Sequence, residues 1–226
     1  MSIRAQGDRF AVWDDVLESS VHSEKWLDFL AEGYKTHSSD VAGHDLLTGD
    51  VEFGEPRFQT LAEAEACPAG DISRVIADYA VRSADVIGVS GADWAGFTLT
   101  PWKYHANAAL NWHNDGAAEN SKTAAAFVLY IHPVWDASWS GDLLILDLPG
   151  NDVRQVSIPD QYEGNPLGYQ ILHAGDPYCV MARPNRLALF KGDTYHAVRR
   201  VDPSAGSHYR ASYTGFFLRE DPRHSV

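Results

Sequence analysis

Pro184-Asn185-Arg186-Leu187-Ala188-Leu189-Phe190-Lys191-Gly192-Asp193 runs on into His196-Ala197-Val198-Arg199-Arg200-Val201. It reads as a strand, a Gly-Asp turn and a second strand that opens on a histidine. Upstream, Leu110-Asn111-Trp112-His113-Asn114-Asp115 reads as another strand end. Residues i and i+2 of an extended chain point to the same face, so His113 and Asp115 reach one ion. With His196 they make two imidazoles and one carboxylate, a set that occupies one face of an octahedral metal and leaves the other positions open. The H-x-D tripeptide is common by itself and the chain has ten histidines, so the weight of this reading rests on its neighbours. The bland alternative is a surface His-Asp pair and a structural core histidine.

Downstream, Tyr209-Arg210-Ala211-Ser212-Tyr213-Thr214-Gly215-Phe216-Phe217 reads as the strand after the one that carries His196. Aromatic and small residues flank Arg210 on both sides, which suits an inward-facing guanidinium rather than a surface ion pair. Such a fork clamps a carboxylate through paired charge-assisted bonds, and the distal carboxylate of 2-oxoglutarate fits that role. Ser212, on the same face of the strand, adds a hydroxyl.

The surroundings set bounds. The chain has 226 residues, 45% of them hydrophobic, which predicts one domain over 1–226 with a sizeable core. A net charge of −13 argues against nucleic acid or an anionic membrane as partner. No apolar run approaches the length of a membrane span, and Met1–Asp8 carries no secretory pattern. Cys67 and Cys179 are read as reduced thiols, and the expected location is the cytoplasm.

Residues 1–94 read as mainly helical. Asp15 and Glu18 suggest a capping box, and Trp26, Leu27, Leu30 and Tyr34 follow at helical spacing. Asp71 is placed as N-cap of a second helix whose stripe is Ile72, Val75, Ile76 and Tyr79. Residues 36–68 between them read as mostly loop. From about residue 95, short β-branched and aromatic runs alternate with turn residues. The expected strands are 96–104, 106–112, 124–132, 142–148, 153–158, 168–173, 178–182, 186–191, 196–201 and 209–218. Helices first and strands later, without βαβ alternation, predict an α+β, mainly β protein built on a sandwich or barrel.

In this order the segments resemble the prolyl-4-hydroxylase-like branch of the Fe(II)/2-oxoglutarate-dependent dioxygenases. The resemblance covers roughly 95–218. It includes Tyr104 ahead of the metal motif and Leu110–Asp115 as its strand. Phe127-Val128-Leu129-Tyr130-Ile131-His132 is similar to the next core strand. Trp135 through Ser140-Gly141-Asp142-Leu143 is similar to a Trp…Gly-Gly turn, with Ser140 in place of the first glycine. The resemblance implies a double-stranded β-helix (jelly-roll, cupin-like barrel) buttressed by N-terminal helices. It implies Fe(II) held by His113, Asp115 and His196, with 2-oxoglutarate and O2 as cosubstrates. It places Arg210 and Tyr130 on the distal carboxylate, with Tyr104 and Thr214 as secondary contacts. Related halogenases carry a small residue where Asp115 stands, so the carboxylate implies hydroxylation. Two departures stand out: the turn at 202–207 and the stretch 149–182 are longer than the family's core needs.

The substrate side is thinner. Trp112, Trp139, Arg183 and Arg199 lie near the inferred mouth by chain position, while His105, His132 and His173 read as structural or surface residues. The expected reaction is hydroxylation of an unactivated C–H bond of a small molecule, such as an amino acid or biosynthetic intermediate. A peptidyl substrate, a halogenating, desaturating or cyclising outcome, and a cupin-like metal-binding protein without turnover are the rivals. A carboxylate clamp argues against the last.

Overall fold

The computed structural model describes residues 3–37, 46–116, 121–149, 153, 157–161 and 163–224. In chain order, β1 (Ile3–Gln6) and β2 (Phe10–Asp14) precede α1 (Ser19–Ala31). Then come β3 (Lys35–Thr36), β4 (Leu47–Thr48), β5 (Val51–Phe53) and β6 (Arg57–Thr60), followed by α2 (Leu61–Glu65), α3 (Ile72–Arg82) and α4 (Ala84–Ile87). Beyond them lie β7 (Gly96–Tyr104), β8 (Ala109–His113), β9 (Thr123–Tyr130), β10 (Leu143–Ile145) and α5 (Pro166–Ala174). The chain finishes with β11 (Tyr178–Val180), β12 (Arg186–Lys191), β13 (His196–Val198) and β14 (Arg210–Leu218).

The strands form two antiparallel sheets, and the protein is mainly β. The larger runs β1-β2-β12-β9-β14-β7-β5-β3, with β6 also on β7; the smaller runs β11-β10-β13-β8-β4. Strand parity explains the layering. In β12, Leu187 and Leu189 face the helices while Ala188 and Phe190 face the other way. In β9, Phe127 and Leu129 take the helix side and Val128 and Tyr130 the opposite side. Strands buried on both faces read as continuous apolar runs, which is what 125–131 and 187–190 are. On the helix side, Phe29, Trp94, Phe97, Phe127 and Phe217 are all but inaccessible, and Trp94 and Phe217 pack with ring centroids 4.9 Å apart. Each such ring removed from water contributes about 1.5–3 kcal/mol. Gly215 is required in β14, because a Cβ there would sit 1.7 Å from the Thr98 carbonyl oxygen.

Helix α3 follows the sequence expectation closely. Asp71 accepts a bond from Ser73 N at 2.8 Å, and Ile72, Val75, Ile76 and Tyr79 are buried. Helix α1 does not. Its N-cap position is Glu18, which makes no side-chain bond, and Asp15 adopts φ 55 outside the helix. The buried face is His22 and Phe29, whereas Leu27 and Leu30 are exposed and Tyr34 lies past the helix end. The capping box is instead at α2, where Thr60 and Glu63 satisfy each other's backbone N–H groups.

Other expectations also change. Residues 1–94 carry β1 to β6 besides four helices, and β2 pairs with β12 over five residues, Phe10–Asp14 against Arg186–Phe190. The 36–68 stretch holds β4, β5, β6 and α2 rather than mostly loop. Residues 168–173 belong to helix α5, because Asn165 caps Leu167 N and Gly168 N and Pro166 opens the first turn. Residues 154–156 of the strand expected at 153–158 lie outside the described residues.

His132, read as structural, ties three segments together. Its Nε2 donates to the Ala182 carbonyl at 2.9 Å, and its Nδ1 accepts from Ala211 N at 3.2 Å. The ring is 2% exposed, and burial pushes its pKa down to about 3. Above the ordinary value of 6.5 its contribution is fully present; as pH falls toward 3, the unfolded chain binds a proton that the folded chain refuses, and stability is lost. In His132→Gln, which keeps a donor and an acceptor but does not titrate, the gap to wild type is expected to move in the variant's favour by about 1.4 kcal/mol per pH unit between about pH 6 and 4. Urea unfolding across that range checks it; a constant gap would show that the ring titrates normally.

Candidate active site

The smaller sheet carries the ionisable cluster. Strands β8 and β13 pair so that His113 stands opposite His196, and their rings lie 4.2 Å apart. Asp115 follows β8 and is tied to the turn after β12 by its N–H, which donates to the Gly192 carbonyl at 2.9 Å. Its two carboxylate oxygens lie 3.5 Å from Nε2 of His113 and 3.5 Å from Nε2 of His196. The ligand atoms of the three residues fall within 4.8 Å of one another, the one such His/Cys/Asp/Glu group among the described residues.

The backs of both imidazoles are fixed. Nδ1 of His113 lies 2.8 Å from the Asn111 carbonyl and Nδ1 of His196 2.9 Å from the Thr194 carbonyl. A carbonyl only accepts, so each Nδ1 carries a proton and each Nε2 is the nitrogen turned toward Asp115. That is the orientation in which histidines ligate metals, with the outer nitrogen bonded to a backbone carbonyl. Burial pushes the His196 pKa down to about 4. At the less buried His113 burial also opposes the charge, but the Asp115 carboxylate outweighs it and the pKa is raised. One carboxylate thus faces two nitrogen donors, a donor set suited to a divalent cation.

The larger sheet supplies the opposite wall. Arg210 is 1% exposed, and its guanidinium sits 4.8 Å from the Tyr130 ring and 5.1 Å from the Tyr104 ring. Its bonds, to Ser212 Oγ and to Tyr130 Oη, are both long at 3.4 Å, and its Nε has no partner. No carboxylate among the described residues lies within ion-pair distance of it. A buried cation with only neutral, loosely held partners is costly until an anion reaches it. Burial pushes Tyr104 up to about 12 and raises Tyr130 as well, with Arg210 pulling each back, so both phenols are donors. Gly141, at φ 71, gives Arg210 its room: a Cβ there would stand 3.1 Å from Arg210 Cδ. Ser140, in place of a glycine, takes φ 56, and its carbonyl accepts from Trp135 Nε1 at 2.8 Å.

Between the walls is a cavity of about 220 Å³ lined by His113, Asp115, His196, Tyr104, Arg210 and Thr214, among others. Tyr130 and Ser212 stand behind Arg210 rather than on the lining. Trp112, Trp139, Arg183 and Arg199 are elsewhere. Trp139 stacks on His208 at 4.5 Å, Arg183 is held by Asp14 and Asp15, and Arg199 pairs with Asp142 at 3.4 Å. Trp112 is absent from the lining although Leu110 and His113 on either side of it are present, because the pairing of β8 with β13 is irregular between those two residues. Missed in the sequence were Leu47, Thr100, Trp102, Leu110 and Phe216. Thr100 and Trp102 were within reach, since they share strand parity with Tyr104. A larger open groove of about 550 Å³, lined by Asp85, Lys191, Asp193 and Arg219 among others, contains no such ligand cluster.

Against known proteins, a model of the 2OG-Fe(II) oxygenase superfamily matches residues 99–218, more than half of the chain. No curated protein matches the sequence significantly. Among solved structures, a prolyl-4-hydroxylase of Pseudomonas putida aligns with TM-score 0.58 and 14% identity over 95% of this chain and 94% of its own. An oxidoreductase of the 2OG-Fe(II) oxygenase family from Burkholderia pseudomallei gives TM-score 0.55 and 11% identity, covering 94% and 86%. A prolyl hydroxylase of Trichoplax adhaerens, in complex with a hypoxia inducible factor peptide fragment, gives 0.52 and 10%, covering 94% and 84%. At these identities the likeness is one of fold. Among the described residues no helix is long and apolar enough to cross a membrane.

Proposed function

Since the chain belongs to the 2OG-Fe(II) oxygenase superfamily, an oxidoreductase family that uses Fe(II), 2-oxoglutarate and O2, we propose that His113, Asp115 and His196 hold the iron and that Arg210, backed by Tyr130, holds the distal carboxylate of 2-oxoglutarate. The observation that carries the second half is the buried, unpaired Arg210 facing the same cavity as the triad. The cosubstrate then spans the cavity from the Arg210 wall to the triad wall. We read the two sheets as a double-stranded β-helix and residues 1–226 as one domain, with 1–94 as its support.

Bound at the triad, Fe(II) with 2-oxoglutarate and O2 supplies a one-oxygen oxidation coupled to release of succinate and CO2. The chain's own residues do the positioning. The Asn111 and Thr194 carbonyls lock both imidazoles with Nε2 inward, so no reorientation is needed when the metal enters. Asp115 supplies the negative charge that a divalent ion requires in a buried site, and its presence supports hydroxylation as the outcome. Arg210 fixes one end of the cosubstrate, while Tyr104 and Thr214, on the same wall, offer hydroxyls to it or to an ordered water. The apolar remainder of the lining keeps water from the reacting centre. We read the substrate as a small molecule, since the cavity is narrow; a peptidyl residue is the alternative. Calorimetric titration of 2-oxoglutarate into oxygen-free, Fe(II)-loaded protein tests the proposal. Saturable one-to-one binding that is lost when the metal is stripped is the expected result. Absence of binding to the loaded protein would overturn the cosubstrate assignment.

A further inference from the structure

We infer that the substrate enters this site as an uncharged aryl-alkyl or similarly flat hydrocarbon group, gripped between Trp102 on the larger sheet and the Leu47–Leu110 pair on the smaller one. The inference rests on the cofactor assignments above and goes beyond them. With the triad and Arg210 engaged and Tyr104 and Thr214 turned to the cosubstrate, the polar groups left on the described lining are the Thr100 hydroxyl and the Trp102 indole N–H. No Lys and no second carboxylate lines the cavity among the described residues. An ammonium or carboxylate set against this described lining surrenders its hydration and meets no counter-charge, which disfavours it there. The described lining therefore favours a neutral group over a charged one. A single hydroxyl or carbonyl on that substrate is tolerated, because the Thr100 hydroxyl pairs with it.

The walls specify shape as well as polarity. Trp102 lies two residues before Tyr104 on β7, so the two side chains point into the same space. Phe53 stacks on Trp102 with centroids 5.2 Å apart and planes 29° from parallel, which holds the indole as a fixed flat face. Opposite, Leu47 of β4 is the cross-strand partner of Leu110 of β8, and both line the cavity. Phe216, 37% exposed, stands at the rim on the larger sheet. Flat aromatic surface on one side and branched aliphatic surface on the other make a slot that rewards a planar apolar insert by dispersion and by removal of its surface from water.

Phenylpropanol, phenylalanine and phenylpropanoate share one carbon skeleton and differ in charge, so they isolate the inference. Each is titrated calorimetrically into full-length protein loaded with Ni(II) and 2-oxoglutarate. Phenylpropanol is expected to bind at least about 10-fold more tightly than either charged analogue. Trp102→Ala is expected to weaken phenylpropanol about 10-fold, and Trp102→Phe by less, while 2-oxoglutarate affinity holds within about 2-fold. Thermal melts confirm that both variants fold, and Trp102→Phe keeps the test alive if the alanine variant does not. Equal or tighter binding of a charged analogue, no saturable binding of phenylpropanol, or indifference to both Trp102 substitutions overturns the slot. The 2-oxoglutarate titration in the same samples reads the cofactor assignment separately. If it fails while phenylpropanol still binds in a Trp102-dependent way, the cosubstrate assignment falls and the slot stands.

Discussion

Arg210→Met is expected to raise the KM for 2-oxoglutarate by about 100- to 1,000-fold, or to abolish turnover at ordinary cosubstrate levels, without destabilising the apoprotein. The two halves of that result come from one fact. The guanidinium is 1% exposed, has long bonds to neutral hydroxyls and leaves its Nε unpartnered. Replacing an unpaired buried charge by an apolar side chain of similar length is neutral or stabilising, so the melting temperature should hold or rise. Removing one partner of a buried ion pair costs about 3–5 kcal/mol, which is the origin of the expected loss of cosubstrate. Arg210→Lys retains charge but not the planar fork, and should fall between, at about 10-fold. Metal content should match wild type in both. An unchanged KM in Arg210→Met, with the protein folded, would assign the arginine to structure and leave the cosubstrate without an anchor.

How much of this could be read beforehand depends on whether a residue's role is set by local pattern or by a distant partner. His113 and Asp115 were legible because two-residue spacing on a strand fixes a shared face, and His196 because the strand that bears it follows a strong apolar strand and a Gly-Asp turn. Arg210 was legible for its aromatic and small neighbours. The four substrate-side residues lie off the cavity lining, because chain proximity says nothing about which face a side chain takes. The parity rule that found Asp115 also turns Arg199, adjacent to Val198, away and selects Trp102, two before Tyr104; in β8 an irregularity between Leu110 and His113, which both line the cavity, breaks the alternation around Trp112. The helix at 166–174 was misread because Tyr169-Gln170-Ile171-Leu172-His173 is a short mixed run whose period is ambiguous; Asn165-Pro166 held the deciding signal. Strand β2 was hidden for another reason. Phe10-Ala11-Val12-Trp13 is strand-like, but its partner β12 lies at the far end of the chain, and no local pattern announces a pairing of that range.

The cluster and the clamp sit on different sheets, and that division gives the second large expectation its diagnostic form. Asp115→Asn keeps the side chain's size and removes its charge from between two imidazoles that are each 3.5 Å away. Two neutral nitrogens and an amide bind a divalent cation far more weakly, so Fe(II) affinity is expected to fall by about 100-fold or more and substrate-coupled succinate release by about 1,000-fold. His113→Ala removes a ligand outright and should do at least as much. The Arg210 wall is built on β7, β9 and β14 and does not depend on the carboxylate, so the fold and the anion pocket should survive in both variants. The readout is therefore threefold: metal content by elemental analysis, succinate release, and melting temperature. Loss of metal and succinate with the melting temperature held is the expected pattern. Full metal loading with near-normal succinate release in Asp115→Asn would remove Asp115 from the ligand set, and with it the argument that its carboxylate sets hydroxylation as the outcome.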